Sequence, residues 1–220
     1  MRRKSLTGTL GPKQGAGLML EPALALRRLQ EGNARFVNNL RSDVLTSPVR
    51  RAEVADVQRP FAVILGCSDA RVPAEIVFDQ GLGDLFVIRI AGNVVAPSGI
   101  GSVEFAVERF GVQLVVVLGH TRCGAIDATL EAVSRPGQPQ SPGLRSIVDR
   151  VRPSIEGLLH TELARDRARL WQEAVRANIR ASVNQLRHGS EILERLVLEG
   201  RVQVVGAEYA LDSGEVTFLD

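Results

Sequence analysis

Four short runs of consecutive apolar residues stand out along the chain. Such runs are typical of strands buried on both faces of a sheet. They lie at residues 61–66, 85–90, 114–119 and 202–207. The Asp212-Ser213-Gly214 turn after the last run predicts that residues 216–218 return as an antiparallel edge strand.

The segments between these runs carry apolar residues at helical spacing. The pattern predicts helices over residues 22–36, 103–110 and 123–133, and a long helical region over 143–199. Within that region an apolar stripe indicates a core or subunit-facing surface, and it comprises Leu163, Leu170, Trp171, Val175, Ile179, Val183 and Leu186. Gly189 then predicts a helix end, and Ser190 predicts the cap of the next helix.

This alternation of buried strands and helices predicts an α/β fold. We expect a mostly parallel central sheet of about four parallel strands plus an antiparallel edge strand, flanked by helices and preceded by an N-terminal helical arm. The length of 220 residues fits a single domain over residues 21–220, after a flexible tail over residues 1–20. In such sheets, ligand sites form at the carboxyl ends of the strands.

Composition narrows the class of protein further. The chain is 45% hydrophobic and 24% charged with a net charge of +2, which is the balance of an ordinary soluble globular protein. Basic residues alternate with acidic ones, so we expect no nucleic-acid partner. No window reaches the roughly 20 apolar residues of a membrane span, and the basic N-terminus lacks the apolar run of about 7–15 residues of a secretory signal. We therefore expect a cytoplasmic protein without a membrane partner.

Candidate metal ligands follow two of the predicted strands. Cys67 comes directly after the first strand, whereas His120 and Cys123 follow the third. If these strands are neighbours, two thiolates and one imidazole converge, a donor set that suits Zn²⁺ and leaves the fourth tetrahedral position open for water. Two other interpretations of the cysteines stay open, namely inert packing and a disulfide, although a reducing compartment disfavours the disulfide.

Asp69 and Arg71 lie two residues apart, just after the first candidate ligand. An arginine at this distance keeps a carboxylate ionised and orients its oxygens, so the pair could accept a hydrogen bond from a metal-bound water. The alternative is a surface ion pair of little energetic value. The remaining histidines, His160 and His188, lie in the long helical region and are interpreted as surface residues.

At these residues a family resemblance emerges. The sequence Cys-Ser-Asp-Ala-Arg-Val at 67–72, followed far downstream by Gly-His-Thr-Arg-Cys-Gly at 119–124, closely resembles the β-class carbonic anhydrases. The similarity extends over residues 30–220. It includes the segments at residues 32–36, 81–86 and 89–93.

The resemblance implies a zinc enzyme that interconverts CO₂ and bicarbonate as a homodimer or homotetramer. In the family, the first helix typically embraces the partner subunit, which would bury the apolar face of residues 22–36. The family's substrate pocket lies at the subunit interface and maps here onto Gln58, Phe86 and Phe105, together with Gly124.

The resemblance also raises the question of regulation by bicarbonate. Some relatives use a tryptophan, an arginine and a tyrosine for this purpose, and the matching positions here are Ile64, Arg89 and Tyr209. Because the tryptophan is missing, we expect a constitutively open site. Asp69 could still become a fourth zinc ligand in a closed state.

The mechanistic hypothesis is that zinc acidifies its bound water to hydroxide, which attacks CO₂ while Asp69, oriented by Arg71, accepts a hydrogen bond. One alternative is a CS₂ or COS hydrolase on the same zinc site. Another is a non-catalytic zinc-binding module. A zinc deaminase is disfavoured because the chain lacks the His-x-Glu and Pro-Cys-x-x-Cys pattern.

Overall fold

The predicted strands form one five-stranded sheet in the computed structural model, which describes residues 20–42, 46–135, 137 and 140–219. The strands are β1 (Ala62–Gly66), β2 (Leu85–Arg89), β3 (Leu114–His120), β4 (Gln203–Tyr209) and β5 (Val216–Leu219). Their order is β2-β1-β3-β4-β5, with β1 to β4 parallel and β5 antiparallel. The predicted fold class is confirmed. The tail predicted over residues 1–20 lies outside the described residues except for Leu20.

Eight α-helices surround the sheet in the described part of the chain. They are α1 (Pro22–Val37), α2 (Pro48–Glu53), α3 (Ala74–Val77), α4 (Pro97–Phe110), α5 (Gly124–Ser134), α6 (Pro142–Ile155), α7 (Arg167–His188) and α8 (Glu191–Leu198). Short 3₁₀ turns lie at Ala91–Asn93, Glu156–His160 and Glu162–Arg165. None of the described helices is both long enough and apolar enough to cross a membrane.

The two faces of the sheet are covered by different helices. Alternate residues of β1 and β3 point to opposite faces, and both strands are buried throughout. One face packs against α4 to α8, and the other against α1 and α3. Burial on both faces explains why these strands are runs of apolar residues rather than alternating patterns.

Helix α1 packs on its own chain along one face. Leu29 is fully buried against the second face of the sheet, whereas Leu24 and Val37 of the same helix are exposed. The contact of this helix with a partner subunit, which the resemblance implies, stays a prediction. The Asn33 amide donates hydrogen bonds to the carbonyl oxygens of Val77 (3.1 Å) and Gly214 (2.8 Å). The helical pattern revealed an apolar face but could not reveal which surface covers it.

The long C-terminal helical region resolves into α6, α7, α8 and two 3₁₀ turns. The stripe on α7 is confirmed as core, since Leu170, Val175, Ile179, Val183 and Leu186 are all buried. Helix α7 ends at Gly189, and the Ser190 hydroxyl caps α8 by accepting a hydrogen bond from the Leu193 amide at 3.2 Å.

The connections from β1 and β3 leave the sheet in opposite directions. From β1 the chain passes through α3 to β2 on one side. From β3 it passes through the four helices α5, α6, α7 and α8 to β4 on the other side. A crevice therefore opens between β1 and β3 at their carboxyl ends, which is the usual ligand position in open α/β sheets.

Candidate metal centre

Three potential metal ligands meet at this crevice. Cys67 follows β1 directly, His120 ends β3 and Cys123 is the N-cap of α5. The two sulfur atoms are 4.0 Å apart, and the three ligand atoms all lie within 4.8 Å of one another. All three side chains are buried. The predicted convergence of these residues is confirmed, and together they could hold a metal ion.

A tight turn brings Cys123 back beside His120. Arg122 adopts the left-handed conformation with φ of 55°, which is uncommon for a residue with a side chain. Hydrogen bonds to the end of β4 hold this turn: the Thr121 amide donates to the Tyr209 carbonyl, and the Leu211 amide donates to the Thr121 hydroxyl, both at 3.0 Å. The strained backbone is thus fixed by the neighbouring strand.

The surroundings of His120 fix which ring nitrogen is available. Its Nδ1 lies 2.9 Å from the Thr121 carbonyl oxygen, which can only accept, so Nδ1 carries the hydrogen. The Nε2 atom therefore presents a lone pair in the neutral ring. It is fully buried and has no hydrogen-bond partner among the described residues. A buried acceptor without a partner is costly, and a metal ion would satisfy it.

The two cysteines are free thiols rather than a disulfide. Their sulfur separation of 4.0 Å is about twice the length of a disulfide bond, roughly 2.05 Å. The hydrogen bond with the Cys123 thiol lowers the pKa of Cys67, although burial opposes the shift. The pKa of Cys123 is raised because its thiol is hydrogen-bonded to Cys67 and because it is buried.

Asp69 and Arg71 form a bidentate pair beside the cluster. Arg71 Nε lies 2.9 Å from Asp69 Oδ1 and Nη2 lies 2.7 Å from Oδ2, while the Arg71 amide also donates to Oδ1. These hydrogen bonds from Arg71, together with its charge, hold the pKa of Asp69 well below its ordinary value. Asp69 Oδ2 is 3.8 Å from His120 Nε2, so an ionised carboxylate faces the ligand cluster.

Comparison with known families identifies the family of the chain. A family model described as carbonic anhydrase matches residues 62–216, a span that contains the whole ligand cluster and the Asp69–Arg71 pair. The chain belongs to the β-carbonic anhydrase family. The resemblance predicted from the two sequence motifs is therefore confirmed.

Individual relatives align over most of the chain. A carbonic anhydrase of Mycolicibacterium smegmatis is 42% identical over 195 residues, covering 89% of this chain and 92% of the relative. Carbonic anhydrase 2 of Mycobacterium tuberculosis is 40% identical over 199 residues, covering 90% and 93%. The crystal structure of the β-carbonic anhydrase CafA of Aspergillus fumigatus superimposes with a TM-score of 0.70 at 27% identity, covering 90% of each chain.

The candidate substrate residues of this β-carbonic anhydrase do not all lie near its own cluster. Gly124 follows Cys123 directly, but Gln58 is exposed in the segment between α2 and β1. Phe86 and Phe105 lie together, with ring centroids 6.2 Å apart and Phe105 45% exposed. Phe86 lies three residues before the end of β2, which at the usual strand rise is about 10 Å from the edge that carries the ligands.

Arg89 makes contacts that the sequence did not reveal. Its guanidinium donates hydrogen bonds to the carbonyl oxygens of Cys67 (3.0 Å) and Asp69, so it supports the backbone of the ligand loop. Ile64 and Tyr209, which the family resemblance grouped with Arg89, are buried in the hydrophobic cluster beneath α1 and α3. The expectation of a constitutively open site stays a prediction.

Sequence reasoning also missed a contact to the Cys67 sulfur. The Gly92 amide donates to Cys67 Sγ at 3.3 Å, and α7 supports Gly92 through buried Asn178 and Ser182. The available signal was the spacing of Asn178 and Ser182, which lie four residues apart among the apolar positions of α7.

Proposed function

We propose that the protein catalyses the reversible hydration of CO₂ to bicarbonate and a proton, with Zn²⁺ held by Cys67, His120 and Cys123. The observation that carries the proposal is the cluster of these three ligand atoms at the carboxyl edge of the sheet, with an unpartnered lone pair on His120 Nε2. Family membership supports the reaction, since the relatives named above are carbonic anhydrases.

The donor set fits zinc in chemistry and in size. Two sulfur atoms bound to one tetrahedral zinc ion at about 2.3 Å lie about 3.8 Å apart, close to the 4.0 Å between Cys67 and Cys123. Two thiolates and one imidazole leave one coordination position for water. When bound, Zn²⁺ supplies the Lewis acidity that lets a water molecule ionise near neutral pH.

Asp69 acts as a hydrogen-bond acceptor and does not take up the released proton. Because Arg71 lowers its pKa, the carboxylate is ionised at neutral pH. An ionised carboxylate has no proton to donate, so its oxygens can only accept. Arg71 binds both oxygens, and Oδ2 also lies 3.8 Å from His120 Nε2, at the edge of the cluster. The proton leaves to buffer.

The substrate pocket is proposed to form between two copies of the chain. Phe86 lies on β2, which is an edge strand of the sheet, and Phe105 beside it is partly exposed. This aromatic pair lies away from the metal edge of its own sheet. In a dimer, the pair of one chain could instead line the metal cluster of the second copy. This arrangement matches the interface pocket that the family resemblance implies.

Stopped-flow measurement of CO₂ hydration tests the proposal. In Asp69→Ala, kcat/KM is expected to fall about 10- to 100-fold with the zinc content unchanged, because the variant loses the acceptor but keeps the three ligands. Asp149→Ala, which removes an exposed carboxylate on α6, is the matched control and should behave like the wild type.

Two outcomes would contradict these roles. A wild-type protein that holds one zinc per chain but does not hydrate CO₂ would overturn the enzymatic proposal and favour the non-catalytic zinc module. Full activity in Asp69→Ala would remove Asp69 from the mechanism while leaving the metal site intact.

A further inference from the structure

The segment Ala91–Asn93 connects the Cys67 sulfur to a distant helix. On one side, the Gly92 amide donates a hydrogen bond to Cys67 Sγ at 3.3 Å. Two consecutive residues of this segment are left-handed, with φ of 68° at Gly92 and 46° at Asn93. Such a backbone persists only where its surroundings hold it, and for asparagine it carries a cost.

Helix α7 holds this segment from the other side. Asn178 Nδ2 donates to the Gly92 carbonyl oxygen at 2.8 Å, and the Ser182 hydroxyl donates to the Asn93 carbonyl oxygen at 3.1 Å. The Asn93 side-chain amide returns a hydrogen bond to the Ser182 hydroxyl at 3.4 Å. Residues of α7 thus hold the two carbonyl groups of the strained segment, and Cys67 accepts the hydrogen bond of the Gly92 amide.

These polar side chains lie where α7 is otherwise apolar. Asn178 is 3% exposed and Ser182 is 5% exposed, and their spacing of four places them on one face of the helix. Buried polar groups cost free energy unless they are hydrogen-bonded. If these two positions served only to pack the helix, apolar residues would fill them at lower cost. The space around Gly92 is also restricted, because a Cβ there would lie 3.0 Å from the Ala125 Cβ.

A hydrogen bond to a thiolate draws electron density from the sulfur and changes its strength as a metal ligand. We infer that Asn178 and Ser182 are positioning residues, which set the ligand strength of Cys67 by holding the Gly92 amide against its sulfur. The inference rests on the metal centre of the proposed function and adds to it a support that reaches Cys67 from α7. Neither residue contacts a ligand directly.

Cobalt binding to the metal-free, full-length protein tests this inference, because Co²⁺ bound to thiolate sulfur has a sulfur-to-cobalt charge-transfer band. In Asn178→Ala and in Ser182→Ala, loss of the support frees Gly92 and weakens its hydrogen bond to Cys67. The band should move to longer wavelength because the sulfur regains electron density. The dissociation constant for Co²⁺ should nevertheless rise about tenfold, because Cys67 is held less firmly in the geometry that binds the ion. Asn184→Ala is the matched control because Asn184 is exposed on the same helix.

The outcomes separate the inference from the proposed function. Variants with the band position and affinity of the control would overturn the inference, whereas a wild type without any charge-transfer band would overturn the metal centre itself. Thermal unfolding of the metal-free proteins identifies a variant that does not fold. If Asn178→Ala is such a variant, Ser182→Ala decides the question, because it removes only one hydroxyl.

Discussion

At the scale of single residues, His120 differs from the other histidines in what its ring nitrogens contact. Its Nδ1 is engaged by the Thr121 carbonyl, and its buried Nε2 is left for a ligand. By contrast, His160 is exposed, and His188 is exposed and lies 3.0 Å from a Glu194 oxygen. Among the histidines of the described chain, only His120 has surroundings that suit a metal ligand.

Replacing His120 should therefore remove the metal, whereas replacing His160 should not. His120→Ala loses one of three ligands, so we expect the zinc content after dialysis to fall from about one per chain to near zero. His160→Ala is the matched control and should retain the metal. Elemental analysis of both variants measures this, and equal zinc contents would remove His120 from the ligand set.

The sequence revealed the candidate ligands because their signal is local. Cys67, His120 and Cys123 each stand at the end of an apolar run, and adjacent parallel strands bring such positions together. The contribution of Gly92 depends instead on its backbone conformation and on a helix that follows much later in the chain. The spacing of Asn178 and Ser182 marks two polar positions on an apolar face, but only the folded structure shows that they contact the segment of Gly92.

At the scale of elements, the close approach of α7 to the sheet depends on glycine. A Cβ at Gly119 of β3 would lie 2.5 Å from Cγ1 of Ile179, and one at Gly206 of β4 would lie 2.7 Å from Cγ2 of the same residue. Ile179 is completely buried in the space that the two glycines leave. The two glycines thus allow α7, the helix that supports Gly92, to pack closely against β3 and β4.

Crowding this contact should destabilise the fold. Gly119→Ala forces Ile179 or the strand to move, at a cost of about 1–3 kcal/mol in the free energy of unfolding. Gly101→Ala is the matched control, since no atom lies within 4 Å of its added Cβ on α4. It should raise the stability by about 0.5–1 kcal/mol because alanine favours helix. Urea unfolding measures both, and equal stabilities would contradict the packing argument.

The elements themselves were predictable where burial is uniform. Strands β1 and β3 are apolar along their whole length because both faces are covered, so the sequence located them within a residue or two. The docking of α1 was not predictable in the same way, since an apolar face fits a partner subunit as well as the chain's own sheet. Asn33 decides it through hydrogen bonds to Val77 and Gly214.

At the scale of the whole molecule, the strand order explains where the chemistry lies. The chain leaves β1 and β3 in opposite directions. The crevice between them receives one candidate ligand from the residue after β1, one from the last residue of β3 and one from the turn that follows β3. Asp69 lies in the loop that begins at Cys67, and Arg89 donates hydrogen bonds to that loop, so both belong to the same edge. The fold therefore brings the ligands, the acceptor and their support to one place.

The most direct test of the account is a titration of CO₂ hydration against zinc added to the metal-free protein. If Cys67, His120 and Cys123 form the single functional site, the rate should rise in proportion to added zinc and reach a plateau at one zinc per chain. A hydration rate that is independent of zinc, or that stays at the uncatalysed rate when one zinc is bound per chain, would contradict the account.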